Sequence, residues 1–160
     1  MSTADLQRFC ASEDDPWPHL RQPWSHGERT YATNGHILVY VPRIAEIPEN
    51  AKAPDTTRLL ENATSGEWVL VPETAMPQDV PCEWCEGSGR YPLDRRHECG
   101  ECDGMKTQPD TRSHTKINSI AFANRFLALI QGWEIAPTST TLPAPIRRGD
   151  AGGLLMPMRI

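Results

Sequence analysis

The sequence predicts an α+β fold in which one domain is interrupted by a cysteine-rich hairpin. Three observations carry that expectation: an Asn34-Gly35 pair between two runs of β-forming residues, an amphipathic run over residues 120–131, and two Cys-x-x-Cys pairs between positions 82 and 102. The 160 residues make one modest domain, a length that buries roughly two thirds of the surface its unfolded chain exposes without help from several disulfides.

From the N-terminus, residues 3–11 predict a short amphipathic helix with Leu6, Phe9 and Cys10 on one face, which makes Cys10 a core residue. Pro16, Pro18 and Pro23, interleaved with Trp17 and Trp24, break that helix and cover something apolar. Asn34-Gly35 suits a two-residue type I′ turn between strands at residues 30–33 and 36–41, and Pro42 ends the second strand. Residues 54–62 read as a helix with Pro54 at its start and Leu59 and Leu60 facing the core, and residues 67–71 as a further strand. Asn118 or Ser119 is placed to cap a helix over residues 120–131 that Gly132 terminates, with Ala123, Phe126, Leu127 and Ile130 as its apolar stripe and Arg125 on its polar face. Residues 133–136 and 154–160 then read as strands around a loop at residues 147–153.

Four of the five cysteines fall in the insertion, read as residues 78–108 within a domain of residues 1–160. Cys82 and Cys85 form one pair and Cys99 and Cys102 the other. Disulfide scaffolds spread their cysteines along a chain, whereas two close pairs of thiols in a reducing compartment suit a tetrahedral metal ion. The expected cofactor is therefore one structural Zn²⁺ on Cys82, Cys85, Cys99 and Cys102. Four sulfur ligands leave no open position for a reactive water, and His97 is an exposed neighbour.

The first half reads Cys82-Glu-Trp-Cys85-Glu-Gly87-Ser-Gly89 and the second Cys99-Gly-Glu-Cys102-Asp-Gly104-Met-Lys106, so the last glycine is replaced by Lys106. This CxxCxGxG pattern resembles the zinc-binding repeats of DnaJ-type co-chaperones over residues 81–106 only. Two repeats are present, without a J-domain. The resemblance implies a metal-held hairpin, and no chaperone activity follows from it.

No run approaches the roughly 18 to 20 apolar residues that span a bilayer, and residues 1–15 lack the basic-then-apolar order of a signal peptide. The expected location is cytoplasmic, with no membrane partner. The charge balance is 16 Lys plus Arg against 21 Asp plus Glu, but residues 105–160 hold 7 basic and 3 acidic side chains. An acidic body with a basic final third argues against general attraction to DNA and leaves room for a local phosphate contact.

A second resemblance rests on two stretches far apart in the chain. Ala32-Thr33-Asn34-Gly35-His36-Ile37-Leu38 is similar to the ATDGHRL segment of bacterial DNA polymerase III sliding clamps, with Asn34 for Asp and Ile37 for Arg. Leu155-Met156-Pro157-Met158-Arg159-Ile160 is similar to the MPMRL terminus of the same family, and residues 124–129 resemble its last helix. The resemblance implies a single DNA-clamp-like domain, where a clamp subunit has three. Clamp rings place six such domains around the duplex, so a one-domain subunit would encircle DNA only as a homo-oligomer such as a hexamer. The combination looks like a phage or prophage product.

In that family the two stretches line an apolar pocket for short peptide motifs. The peptide-binding residues it implies are Thr33, Gly35, His36 and Leu38 on one side and Met156, Pro157, Met158 and Arg159 on the other. Methionine suits such a pocket because its flexible thioether adapts to different ligands. Read from the residues alone, the same stretches are first a core strand with a common Asn-Gly turn, and it is the resemblance that brings the pocket reading level with it. Clamps also present cations to phosphate; the DNA-contact candidates are Arg112, Lys116 and Arg125, whereas Glu13, Asp14 and Asp15 follow the first helix, so DNA contact is expected to be weak.

The expected function is a non-enzymatic accessory or interaction factor in DNA metabolism, binding a protein or peptide partner. The alternative is a zinc-dependent protein-binding module whose clamp-like core is only a scaffold. A zinc-stabilised HNH-type nuclease using His97, His114 and Asn118 ranks below both, because the helix read over residues 120–131 contains no histidine. No GxSxG, HExxH or phosphate-binding glycine loop occurs.

Overall fold

The computed structural model describes residues 1–160 as mixed helix and sheet, mostly sheet. Its chain order is α1 (Thr3–Gln7), β1 (Trp24–His26), β2 (Arg29–Thr33), β3 (Ile37–Pro42), α2 (Thr56–Glu61), β4 (Val69–Leu70), β5 (Val80–Pro81), β6 (Thr107–Gln108), β7 (His114–Ile117), β8 (Ile120–Ala123), α3 (Asn124–Leu127), β9 (Glu134–Ile135), β10 (Ala144–Arg148) and β11 (Ala151–Leu155). Seven strands form one antiparallel sheet in the order β1-β2-β3-β11-β10-β9-β4, while β5–β6 and β7–β8 are separate two-stranded ribbons.

Alternation along the strands sends residues to two faces of this sheet. Ile37, Val39 and Val41 of β3 and Leu155 of β11 join Leu6, Phe9, Phe122, Phe126 and Ile130 in the main core. Leu38 and Leu154 point the other way and pack with Trp24 and Tyr31, whose rings stack at 5.7 Å. Cys10 lies in the main core, where burial pushes its thiol up to about 12 and keeps it protonated.

Several local expectations are corrected. Asn34-Gly35 is not a type I′ turn: only Gly35 has a left-handed φ, of 88°, and Thr33 pairs with Leu38 across a four-residue loop. Side chains close that loop, with the amides of His36 and Ile37 donating to Asn34 Oδ1 and the Gly35 amide donating to Thr33 Oγ1. The helix read over residues 120–131 is instead β8, the four-residue α3 and a 3-10 turn at Ala128–Ile130. Asn118 and Ser119 do not cap it. With φ of 50° and 68° they form the two-residue turn between β7 and β8, the geometry expected of type I′.

The first helix stops at Gln7, short of residue 11, although Phe9 and Cys10 are buried as the pattern requires. In α2, Asp55 rather than Pro54 opens the helix by capping the Thr57 amide; Thr56 is buried, and Leu59, expected in the core, is 51% exposed. Residues 147–153 are not a loop, because β10 and β11 pair from Ala144↔Leu155 to Arg148↔Ala151, and residues 156–160 lie outside any strand.

β11 carries Gly152-Gly153 into the middle of the sheet because neighbours occupy the space a side chain would need. A Cβ on Gly153 would collide with the Leu38 carbonyl oxygen, and one on Gly152 with the Tyr40 ring. Backbone cannot withdraw as a flexible side chain can. Gly153→Ala is therefore expected to destabilise the domain by about 2–4 kcal/mol, read as a fall in the urea midpoint at unchanged slope.

Candidate functional site

The insertion folds as two knuckles related by a shift of 17 residues, each built on one cysteine pair. In the first, the Gly87 amide donates to the Cys82 carbonyl at 3.1 Å and the Ser88 amide to the Cys85 carbonyl at 3.0 Å; in the second, Gly104 donates to Cys99 at 3.2 Å and Met105 to Cys102 at 2.8 Å. The knuckles are cross-linked by the Cys82 amide to the Lys106 carbonyl and the Cys99 amide to the Gly89 carbonyl, at 2.9 and 3.0 Å. Matching positions share left-handed backbone: Glu86 with Asp103, Gly87 with Gly104, and Gly89 with Lys106.

This wrapping buries four sulfurs together, with all four ligand atoms within 4.8 Å of one another. The Cys82–Cys99 and Cys85–Cys102 sulfurs are 3.9 and 3.8 Å apart. A disulfide requires about 2.05 Å, and none of the cysteines is bonded. A tetrahedron of thiolates around an ion at about 2.3 Å has edges of about 3.8 Å, so the spacing fits a four-sulfur metal site. The four cysteines are positioned to bind a metal ion.

Burial pushes the Cys85 thiol up, but the Gly89 amide, donating to its sulfur at 3.2 Å, and the neighbouring thiols outweigh it and hold the group down at about 6. At Cys102 burial wins, despite the Lys106 amide, and the thiol stands at about 11.

His97 lies outside the cluster and is hydrogen-bonded to Asp94 at 3.1 Å. His114 contacts the Arg112 carbonyl and Asn118 forms the β7–β8 turn, so the nuclease candidates each serve local contacts.

A second feature is an apolar groove of about 360 Å³ beside the β2–β3 loop. Antiparallel pairing of β3 with β11 sets Leu38 opposite Leu154, and the Met156 amide continues the ladder by donating to the His36 carbonyl at 2.9 Å. Thr33, Gly35, His36, Leu38 and Met156 consequently line one cavity. Pro157, Met158 and Arg159 do not: Met158 packs against the main core and donates its amide to the Ala121 carbonyl, and Arg159 is exposed. The opposite wall, made by Trp17, Leu20, Pro54, Leu59 and Pro143, was not foreseen, although the tryptophan and prolines around residue 17 signal an apolar cover. Burial and then the Arg125 guanidinium hold His36 below its usual range, so its imidazole is neutral at pH 7, stacked 5.6 Å from Phe126.

The three candidate DNA contacts do not share a helix face. Arg112 precedes β7 and pairs with Glu83 through its Nη1 and Nη2, each at 2.9 Å, Lys116 is exposed on β7, and Arg125 is half-buried on α3 over the Phe126 ring. No helix is long and apolar enough to cross a membrane. Compared with known protein families and with curated proteins, the chain matches none.

The two knuckles tolerate substitution unequally. A Cβ on Gly89 would lie 2.8 Å from the Gly104 carbonyl oxygen at a φ of +74°, whereas Lys106 already carries a side chain at a φ of 71°. Gly89→Ala is expected to speed metal loss to a chelator at least tenfold, while Lys106→Gly removes left-handed strain of about 1 kcal/mol and slows it.

Proposed function

We propose that the chain is a non-enzymatic accessory factor of DNA metabolism whose clamp-like core captures a short apolar peptide and whose inserted arm is held by one structural zinc ion. The observation that carries this reading is the groove, in which five residues singled out from two distant stretches, Thr33, Gly35, His36, Leu38 and Met156, line a single cavity. A peptide would bury leucine or phenylalanine against Leu38, Leu59 and Met156, with the His36 ring available to a polar group.

Zinc is the metal this reading assigns to the cluster, since an all-thiolate tetrahedral set is the donor chemistry of structural zinc sites. DNA contact belongs to the same proposal and is weak: Arg112 is already neutralised by Glu83 and Arg125 is half-buried, leaving Lys116 as the exposed cation of the three. The alternative, a protein-binding module that uses its arm, draws support from the exposure of Trp84, Leu93 and Met105 on the insertion.

Purified protein is expected to contain about one zinc per chain, lost on Cys99→Ser, because removing one thiolate opens the tetrahedron. The cysteines form a cluster separate from the main core, so metal loss should raise amide exchange across residues 78–108 while leaving β3 and β11 protected. Metal-free protein with native disulfides would overturn the assignment.

The groove is tested with a leucine- and phenylalanine-bearing peptide, for which a Kd on the order of 10⁻⁶ M, about −8 kcal/mol, is what a few anchors supply after ordering costs. Met156→Asp is expected to weaken capture at least tenfold with little change in Tm, as this side chain is 38% exposed. Met158→Ala should instead lower stability and spare capture. Equal affinity for wild type and the Met156→Asp variant would sink the peptide reading.

A further inference from the structure

Two surfaces of this chain complement each other. The tip of the arm, residues 91–97, is closed by the Tyr91 amide donating to the His97 carbonyl at 2.9 Å and by the bridge between Arg90 and Glu98. Leu93 stands on this tip and is 86% exposed, more than any other large apolar side chain in the protein. Around it, Arg90 and Arg95 are exposed without an ion pair, while Arg96 is paired only with Asp94 of the same loop. The tip is a hydrophobic knob flanked by Arg90, Arg95 and Arg96, with Asp94 already engaged by Arg96 and His97, and Glu98 exposed opposite Arg90.

The opposite charge lies beside the groove in the chain, while the residues that line the groove itself include no carboxylate. Trp17 forms part of its wall, and the segment leading to it carries Glu13 and Asp14, both exposed and without an ion pair. Arg21 pins this segment through the carbonyl oxygens of Glu13 and Asp15 at 2.6 and 3.1 Å, so the Glu13 and Asp14 carboxylates stay free. Asp15 of the same segment lies close enough to His36 of the groove to act on its charge, less strongly than Arg125, whose guanidinium acts in the opposite sense.

We propose that the arm tip of one copy docks in the groove of a second copy, with Leu93 in the apolar floor and Arg90 and Arg95 against Glu13 and Asp14. The proposal rests on reading the groove as a peptide site and names its occupant. A second copy is favoured over an unrelated protein because both complementary halves, apolar and charged, lie on this one chain. The contact is heterologous: a pair joined this way leaves one free groove and one free arm, and so grows further unless the ring closes. Because the tip is held at its base by the cysteine cluster, the contact also depends on the bound metal.

The test is light scattering on the metal-loaded full chain across the micromolar range. The mass of wild type is expected to rise with concentration, while Leu93→Asp, at an exposed tip, and Leu59→Asp, on the exposed groove wall, each stay monomeric. Mixing those two variants should give one-to-one dimers and nothing larger, since each supplies the half the other lacks. Asp14→Lys and Arg95→Glu should each weaken association at least tenfold, and combining them in one chain should restore it. A wild type that remains monomeric throughout, or a mixture that does not dimerise, overturns the proposal. Capture of the leucine- and phenylalanine-bearing peptide by Leu93→Asp separates the two readings. Capture by that variant beside a monomeric wild type removes self-docking alone, whereas no capture removes the peptide site as well.

Discussion

The pairing of β3 with β11 organises both the main core and the apolar groove. It joins residues 37–40 to residues 152–155, more than a hundred positions apart, and places them at the centre of the seven-stranded sheet. Its alternation sends Ile37 and Leu155 into the main core and Leu38 and Leu154 to the opposite face, beside the groove. One contact therefore closes the core and forms one wall of the groove. Its tightness depends on a position without a side chain, since Gly153 lies against the Leu38 carbonyl. A one-residue slip of this pair would exchange the two faces, moving core residues to the groove and groove residues to the core.

The arm obeys a different constraint. Its buried side chains form a cluster of four cysteines and no more, which is too little apolar surface to order some thirty residues. Its shape is set by backbone turns around the sulfurs, by the short β5–β6 ribbon at its base, and by the Arg112–Glu83 pair that ties it to the segment before β7. Exposed ion pairs of that kind contribute little to stability, about 0–1 kcal/mol, so an ion held by the four cysteines would be the main source of order in the arm. Core and arm thus pack separately, the one around an apolar cluster and the other around four cysteines placed to hold an ion.

How much of this was legible in the sequence depends on the range of the signal. The cysteine cluster was legible because paired spacing and glycines at positive φ encode it locally, even to the mirrored roles of Gly89 and Lys106. The groove was legible in half: Thr33, Gly35, His36, Leu38 and Met156 meet there, but the chain turns inward after Met156 and takes Met158 to the core. Its far wall depends on where the segments around Trp17 and Leu59 fold back, which no local pattern states. The run over residues 120–131 misled because every residue of β8 is buried, so the alternation that marks a strand is absent. The deciding signal was the pair Asn118-Ser119, whose small polar side chains tolerate left-handed backbone and so can turn a ribbon as readily as cap a helix. Ile117 pairing with Ile120 tips that balance toward the turn, because both side chains reach the main core only when the ribbon forms.

The same competition explains the β2–β3 loop. Asn-Gly can make the tight turn, but here Asn34 spends its side chain on the amides of His36 and Ile37, and Thr33 binds both the Gly35 amide and the Ile37 carbonyl. A two-residue turn would have continued the ladder and paired His36 across it. The wider loop instead frees His36 to lie over Phe126 and leaves its carbonyl to accept the Met156 amide. The near wall of the groove therefore takes its shape from a loop held by side chains as well as by the backbone bond from the Asn34 amide to the Ile37 carbonyl.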